Sequence, residues 1–292
     1  MKSKALLFSV LFLLSISIFK TAAQVNNEFV LLEDSLRKVA NRIVEPKHDF
    51  ERLSINEDFK NLLQKVLEKE GSFDYPFDSL TTVSFLTAPD KSFRIITWYV
   101  PLPEGKFEYF GFFQVKDDRR GDIVIYPLMN MERVPDDLIY LQLSPENWYG
   151  AFYYQLIHNR YSKEDQYTLL GWRGGNQLTR IRVIEPLRTA ARGKPVFGIP
   201  QFTYKNNRYR RVVFEYSAKV SMTLKYEKHF IQGSRRPKNM IVFDRLMPTH
   251  PNLEGHFQFY FPETNIFDAF LFENGRWVYY PEIDARNPRK ID

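Results

Sequence analysis

The stretch FDAFLFENGRWVYY, residues 267–280, decides the fold. Two runs rich in aromatic and β-branched residues, Phe267–Phe272 and Trp277–Tyr280, are separated by a turn centred on Asn274-Gly275. Both central residues of a type I′ turn need positive φ, which Asn and Gly reach at least strain, so the pair predicts a tight antiparallel hairpin. The same grammar repeats upstream. Strands are expected at Thr82–Leu86, Phe93–Val100, Phe107–Val115, Ile123–Leu128, Trp148–His158, Tyr167–Trp172, Arg180–Ile184 and Pro195–Phe202. Tyr209–Tyr216, Lys219–Tyr226, Met240–Leu246 and His256–Phe261 complete the set. Val, Ile, Thr and aromatic residues suit a pleated, half-buried surface, and turn clusters such as Pro103-Glu104-Gly105 separate the runs. Short connections favour antiparallel neighbours over helical crossovers.

The pattern changes before residue 80. Leu32, Leu36, Val39, Ala40 and Ile43 recur at helical spacing, with Pro46 as a stop. Phe59, Leu62, Leu63, Val66 and Leu67 form a second stripe. Ser54-Ile55-Asn56-Glu57 reads as its capping box and Gly71 as its terminator. The fold expected is mainly β (α+β): an antiparallel meander forming a sandwich or barrel-like body over residues 76–292, with a helical pair over 24–75 packed on it. An outer-membrane barrel fits poorly. Several strands are too short to cross, and Arg208-Tyr209-Arg210-Arg211 carries charge on both faces.

Residues 1–23 read as a cleavable signal peptide. Lys2 and Lys4 precede an apolar run from Ala5 to Phe19, and Thr21-Ala22-Ala23 offers small side chains before Gln24. Three Lys and no acid leave with that segment, so the net charge falls from +6 to +3. Such a balance does not point to nucleic acid or anionic lipid. With no cysteine, the chain has no disulfide framework, thiolate metal site or Cys nucleophile.

Motifs for chemistry are weak. No nucleophile elbow, phosphate loop or calcium loop occurs, and no cofactor is implied. Asp244, His250, Glu254 and His256 are the densest set of possible metal ligands, at a spacing that matches no motif. Glu108, Glu215, Asp244 and Asp268 lie in or beside strands, where two could meet for glycoside hydrolysis. Arg120-Gly121-Asp122 is an RGD tripeptide in an expected turn. The positive hint is aromatic: Trp98-Tyr99, Trp148-Tyr149, Trp172 and Trp277 with Tyr279-Tyr280 lie in or beside strands. Trp148, Tyr149 and Trp172 are the rings expected to stack on a ligand if exposed, Trp148-Tyr149 because they sit at a loop–strand junction, although core packing is the commoner fate of such rings.

The stretches SPENWYGAFYYQLI, YTLLGWRGGNQLT, VVFEYSAKVSMTLKY and NMIVFDRLMPTHPNLEG, within residues 144–255, resemble a set of uncharacterised exported proteins of Bacteroidota-type bacteria. The resemblance implies an exported cell-envelope protein and carries no activity. The function expected is non-enzymatic binding or structural support by an exported protein that is periplasmic, outer-membrane-associated or secreted, with an envelope glycan or envelope protein as partner. The alternative is a polysaccharide-acting hydrolase using the strand-borne carboxylates.

Overall fold

The computed structural model describes residues 27–45, 51–116, 122–161, 164–204, 207–231 and 236–283. The signal-peptide reading, Pro46 and the Arg120-Gly121 of the RGD tripeptide lie outside these residues. Two helices come first, α1 over 27–44 and α2 over Arg52–Leu67. Fifteen strands follow among the described residues. The first four are β1 Ser84–Thr87, β2 Phe93–Pro101, β3 Phe107–Lys116 and β4 Ile123–Met129. Next come β5 Phe152–Tyr161, β6 Glu164–Gly174, β7 Thr179–Thr189 and β8 Pro195–Phe197. Then β9 Phe202–Tyr204, β10 Asn207–Tyr209, β11 Val212–Ser217 and β12 Leu224–His229 lead to β13 Lys238–Pro248, β14 Tyr260–Glu273 and β15 Arg276–Ile283.

They form three open sheets, ordered β1-β2-β3-β4, then β11-β7-β6-β5 with β8 beside β7, then β10-β9-β15-β14-β13-β12. Every pairing is antiparallel except β15 with β9. None of the sheets closes into a barrel. The hairpin at 274–275 forms as expected: Asn274 and Gly275 both have positive φ, and Glu273 pairs with Arg276.

The sheets stack, with the helices as an outer layer. Phe59, Leu63 and Val66 of α2 meet Ile96, Trp98 and Phe112 of the first sheet. The opposite face of that sheet, with Phe93, Ile95 and Phe113, packs on Tyr167, Leu169 and Val183 of the central sheet. Leu170 and Ile184 point the other way, onto Ile241, Phe270 and Trp277 of the third. Alternate side chains of β2 and β6 therefore enter different cores, which is why these strands read as almost unbroken apolar runs.

Tryptophans knit the layers. The Trp98 indole N–H donates to Asn56 Oδ1 at 2.7 Å, that of Trp148 to the Tyr153 hydroxyl at 3.1 Å, and that of Trp277 to Thr168 Oγ1 at 3.0 Å. A buried indole needs such a partner, and each bond ties adjacent layers or the elements within one. The first explains why the expected capping box does not form. Asn56 is buried beneath Trp98, the N-cap position is Glu51, whose side chain makes no capping bond, and Ser54 lies inside α2.

Strand bounds differ from expectation where the chain changes layer. The expected run Tyr209–Tyr216 is cut at Arg210-Arg211, where the chain leaves the third sheet after β10 and enters the central sheet as β11. Pro195–Phe202 divides likewise into β8 and β9, one in each sheet.

Candidate functional site

β11 is the edge strand of the central sheet, and its two faces open on two cavities. Val213 and Glu215 face a cleft of about 820 Å³ between the first and central sheets, bordered by the loop from Asn130 to Ile139. Val212 and Phe214 face a pocket of about 460 Å³ between the central and third sheets. Period-two alternation along one short strand sorts these side chains.

In the cleft, antiparallel register places Glu215 opposite Ile181 and Ile181 opposite Arg173, a row crossing β11, β7 and β6. The Arg173 guanidinium lies over the rings of Tyr109 and Tyr149, 5.0 and 4.5 Å from their centroids. Its NH1 donates to the Gly150 carbonyl at 2.7 Å, to the Tyr149 carbonyl and to Asn130 Oδ1. The backbone folds this tightly because Gly150 has φ +79°, and a Cβ there would meet Asn130 Oδ1 at 2.0 Å. Burial raises the pKa of the Tyr149 phenol; Arg173 opposes that rise, and Glu185 and Glu215 add to it.

The pocket is aromatic on both walls, with Phe214 on β11 facing Phe243 and Phe270 and with Phe202, Tyr209 and Tyr279 around it. Asp268 at its edge is saturated. It accepts from Arg245 Nε and NH2 at 3.1 and 2.6 Å, from the Tyr279 hydroxyl at 2.8 Å and from the Glu282 amide at 3.0 Å. Burial works against its charge, but these donors prevail and hold the carboxyl below the usual range. Burial, then the bond to Asp268, pushes the Tyr279 phenol up to about 12.

A buried ion pair stands beside both cavities. Arg211 and Glu185 have fully buried side chains, with NH2 and Oε1 2.9 Å apart. Arg211 Nε donates to the same oxygen at 3.0 Å, and NH1 donates to the Leu138 carbonyl. That last bond holds the turn Leu138–Tyr140, whose Ile139 lines both cavities.

The residues singled out from sequence are distributed unevenly. Trp148 is fully buried between the first two sheets, so the stacking-platform reading is corrected for it. β5 starts only at Phe152. Trp148 instead sits in a segment bridged to Asn130, its amide donating to the Met129 carbonyl at 2.9 Å, which turns its ring inward. Tyr149 is buried too, yet it lines the cleft. Trp172 is half-buried, packed on Tyr99 and Phe107 with centroids 5.2 and 5.1 Å away.

The metal candidates are not brought together. Asp244 is buried on β13 and accepts the Thr223 amide at 2.7 Å, while His250, Glu254 and His256 are exposed around the turn Pro251–Leu253. Among the described residues, the His/carboxylate group whose ligand atoms lie within 4.8 Å of one another is Asp90, His158 and Asp165. Its members already bond to neighbours: His158 Nε2 to Asp165 at 2.8 Å, and the Tyr167 hydroxyl to Asp90 at 2.5 Å. Sequence reading missed this cluster because Asp90 comes from a turn far from the β5–β6 hairpin. Two of the strand-borne acids, Glu108 and Glu215, border the same cleft. Phe107 and Tyr109 take the cleft face of β3, so the Glu108 side chain turns towards α2, where burial and then Glu57 raise its pKa, whereas Glu215 faces the cleft.

Compared with known protein families, curated proteins and solved structures, the chain matches none.

Proposed function

We propose that the protein is exported to the cell envelope and works there as a binding protein that takes a small apolar or aromatic ligand in the pocket beside β11. The reading of residues 1–23 as a signal peptide supports export. The observation carrying the binding reading is the pocket itself. Its volume of about 460 Å³ suits a small molecule, rings line both walls, and Asp268 and Arg245 are paired with each other. A ligand entering there meets apolar surface without having to strip a charge of water. The hydrolase alternative has less support. Asp268 is tied by four hydrogen bonds, which disfavours proton transfer, and Glu108, although it borders the same cleft as Glu215, turns its side chain towards Glu57 of α2.

The test uses N-phenyl-1-naphthylamine, whose fluorescence rises in apolar sites. Saturable binding is expected, weakened about tenfold by Phe214→Ala, because one ring wall is lost. Absence of saturable binding, or equal affinity in a folded Phe214→Ala protein, would refute the pocket as the site.

A further inference from the structure

The cleft on the other face of β11 has a different chemistry. Two interstrand spacings, about 9.6 Å, separate Glu215 from Arg173 along their row. Arg173 is committed: its NH1 serves two carbonyls and Asn130, and its plane covers two tyrosine rings. Glu215 is not. It is half-buried on the cleft wall and has no hydrogen-bond or ion-pair partner among the described residues. A half-buried carboxylate without a protein donor is open to a charge-assisted bond from an arriving cation. The surroundings reinforce that polarity, since Glu108, Glu132 and Asp136 also line the cleft, with Lys106 and the committed Arg173 as its cations. Between Glu215 and Arg173 the wall is apolar, with Ile181 and Val213 inward and Leu138 and Ile139 above.

We infer that this cleft binds an organic cation, a primary ammonium or guanidinium carried on a short apolar stem. The cationic head pairs with Glu215, and the stem lies over Ile181 and Val213. A free amine and the side chain of a basic peptide share this chemistry. The cleft and the aromatic pocket meet at Ile139 and Val213, but Glu215 lines the first and Phe214 the second, so either site can fail without the other.

The test titrates the purified protein with hexylammonium, 1-hexanol and the peptide acetyl-Gly-Lys-Gly-amide, followed by NMR shift changes. Hexylammonium is expected to bind at least tenfold tighter than 1-hexanol and to lose that advantage in Glu215→Gln. Asp244→Asn, in the aromatic pocket, is expected to leave it intact. A peptide that binds tighter than hexylammonium, again only with Glu215 present, identifies a protein side chain as the source of the cation; the reverse order identifies a free amine. Equal binding of the amine and the alcohol, no saturable binding of either cation, or full affinity in Glu215→Gln overturns the inference. So does loss of binding in Asp244→Asn alone, which would put the cation in the other cavity. If Glu215→Gln does not fold, Val213→Phe narrows the cleft and keeps the carboxylate. Undiminished hexylammonium binding in that variant likewise overturns the assignment.

Discussion

Replacing Trp148 with alanine removes the largest side chain between the first and central sheets, at a position with no solvent exposure. Loss of a buried Trp ring costs about 3–5 kcal/mol through transfer and cavity terms together. The Tyr153 hydroxyl also loses its donor, the Trp148 indole N–H at 3.1 Å, in a fully buried setting. It remains beside the Glu185 carboxylate, so the added penalty stays near the lower end of about 1–3 kcal/mol. A total of about 4–6 kcal/mol in a body of this size lowers the melting temperature by roughly 8–24 °C. Trp148→Phe keeps a ring and loses the N–H, and should fall between wild type and alanine. Calorimetry and urea unfolding followed by circular dichroism measure both variants. A drop below about 3 °C for Trp148→Ala would mean that the ring is not in the core and would reopen a ligand-platform role for it.

Two further predictions concern other layers. Leu63→Asp sets a carboxylate in the fully buried seam between α2 and the first sheet, and should destabilise by at least about 3 kcal/mol in urea unfolding; unchanged stability would show that α2 does not pack there. Asp268 has a folded-state pKa below its unfolded value, so its contribution is present above about pH 4 and is lost as pH falls through the folded pKa. Asp268→Asn should therefore be less stable than wild type at pH 7 and lose less on acidification, and parallel urea midpoints at pH 7, 5 and 3 would contradict this.

Much of the architecture is legible in residue order, because local rules decide it. Asn274-Gly275 makes its hairpin, and the stripe from Phe59 to Leu67 buries the face it should. Stacking of three sheets is not legible. An apolar run such as Phe93–Val100 reads the same whether its second face meets helices, another sheet or a partner. The local rule failed at Ser54–Glu57 because a tertiary contact outbid it: Asn56 is the acceptor for Trp98, 42 residues away. The site was half visible. Glu215 stood out as an acid within a strand, but an acid there ordinarily faces water. That it faces a cleft depends on which sheet β11 joins, and nothing within the strand specifies that.

What specifies it lies one residue earlier. Arg208-Tyr209-Arg210-Arg211 reads as charge on both faces of a strand, yet Arg211 is buried and paired with Glu185 of β7 at the point where the chain passes between sheets. A buried ion pair is a weak source of net stability, because dehydrating both ions offsets most of their attraction. Its effect on register is stronger. Val212 pairs with Ile184, and the ladder runs to Ser217 opposite Thr179. A one-residue slip would turn every side chain of β11 to the opposite face. Phe214 would enter the charged cleft, Glu215 would enter the aromatic pocket, and Arg211 would part from Glu185. Two buried, unpaired charges cost several kcal/mol, more than one short edge strand recovers by slipping. The Arg211–Glu185 pair thus keeps Glu215 on the cleft side and Phe214 on the pocket side, and the chemistry of both cavities depends on that sorting.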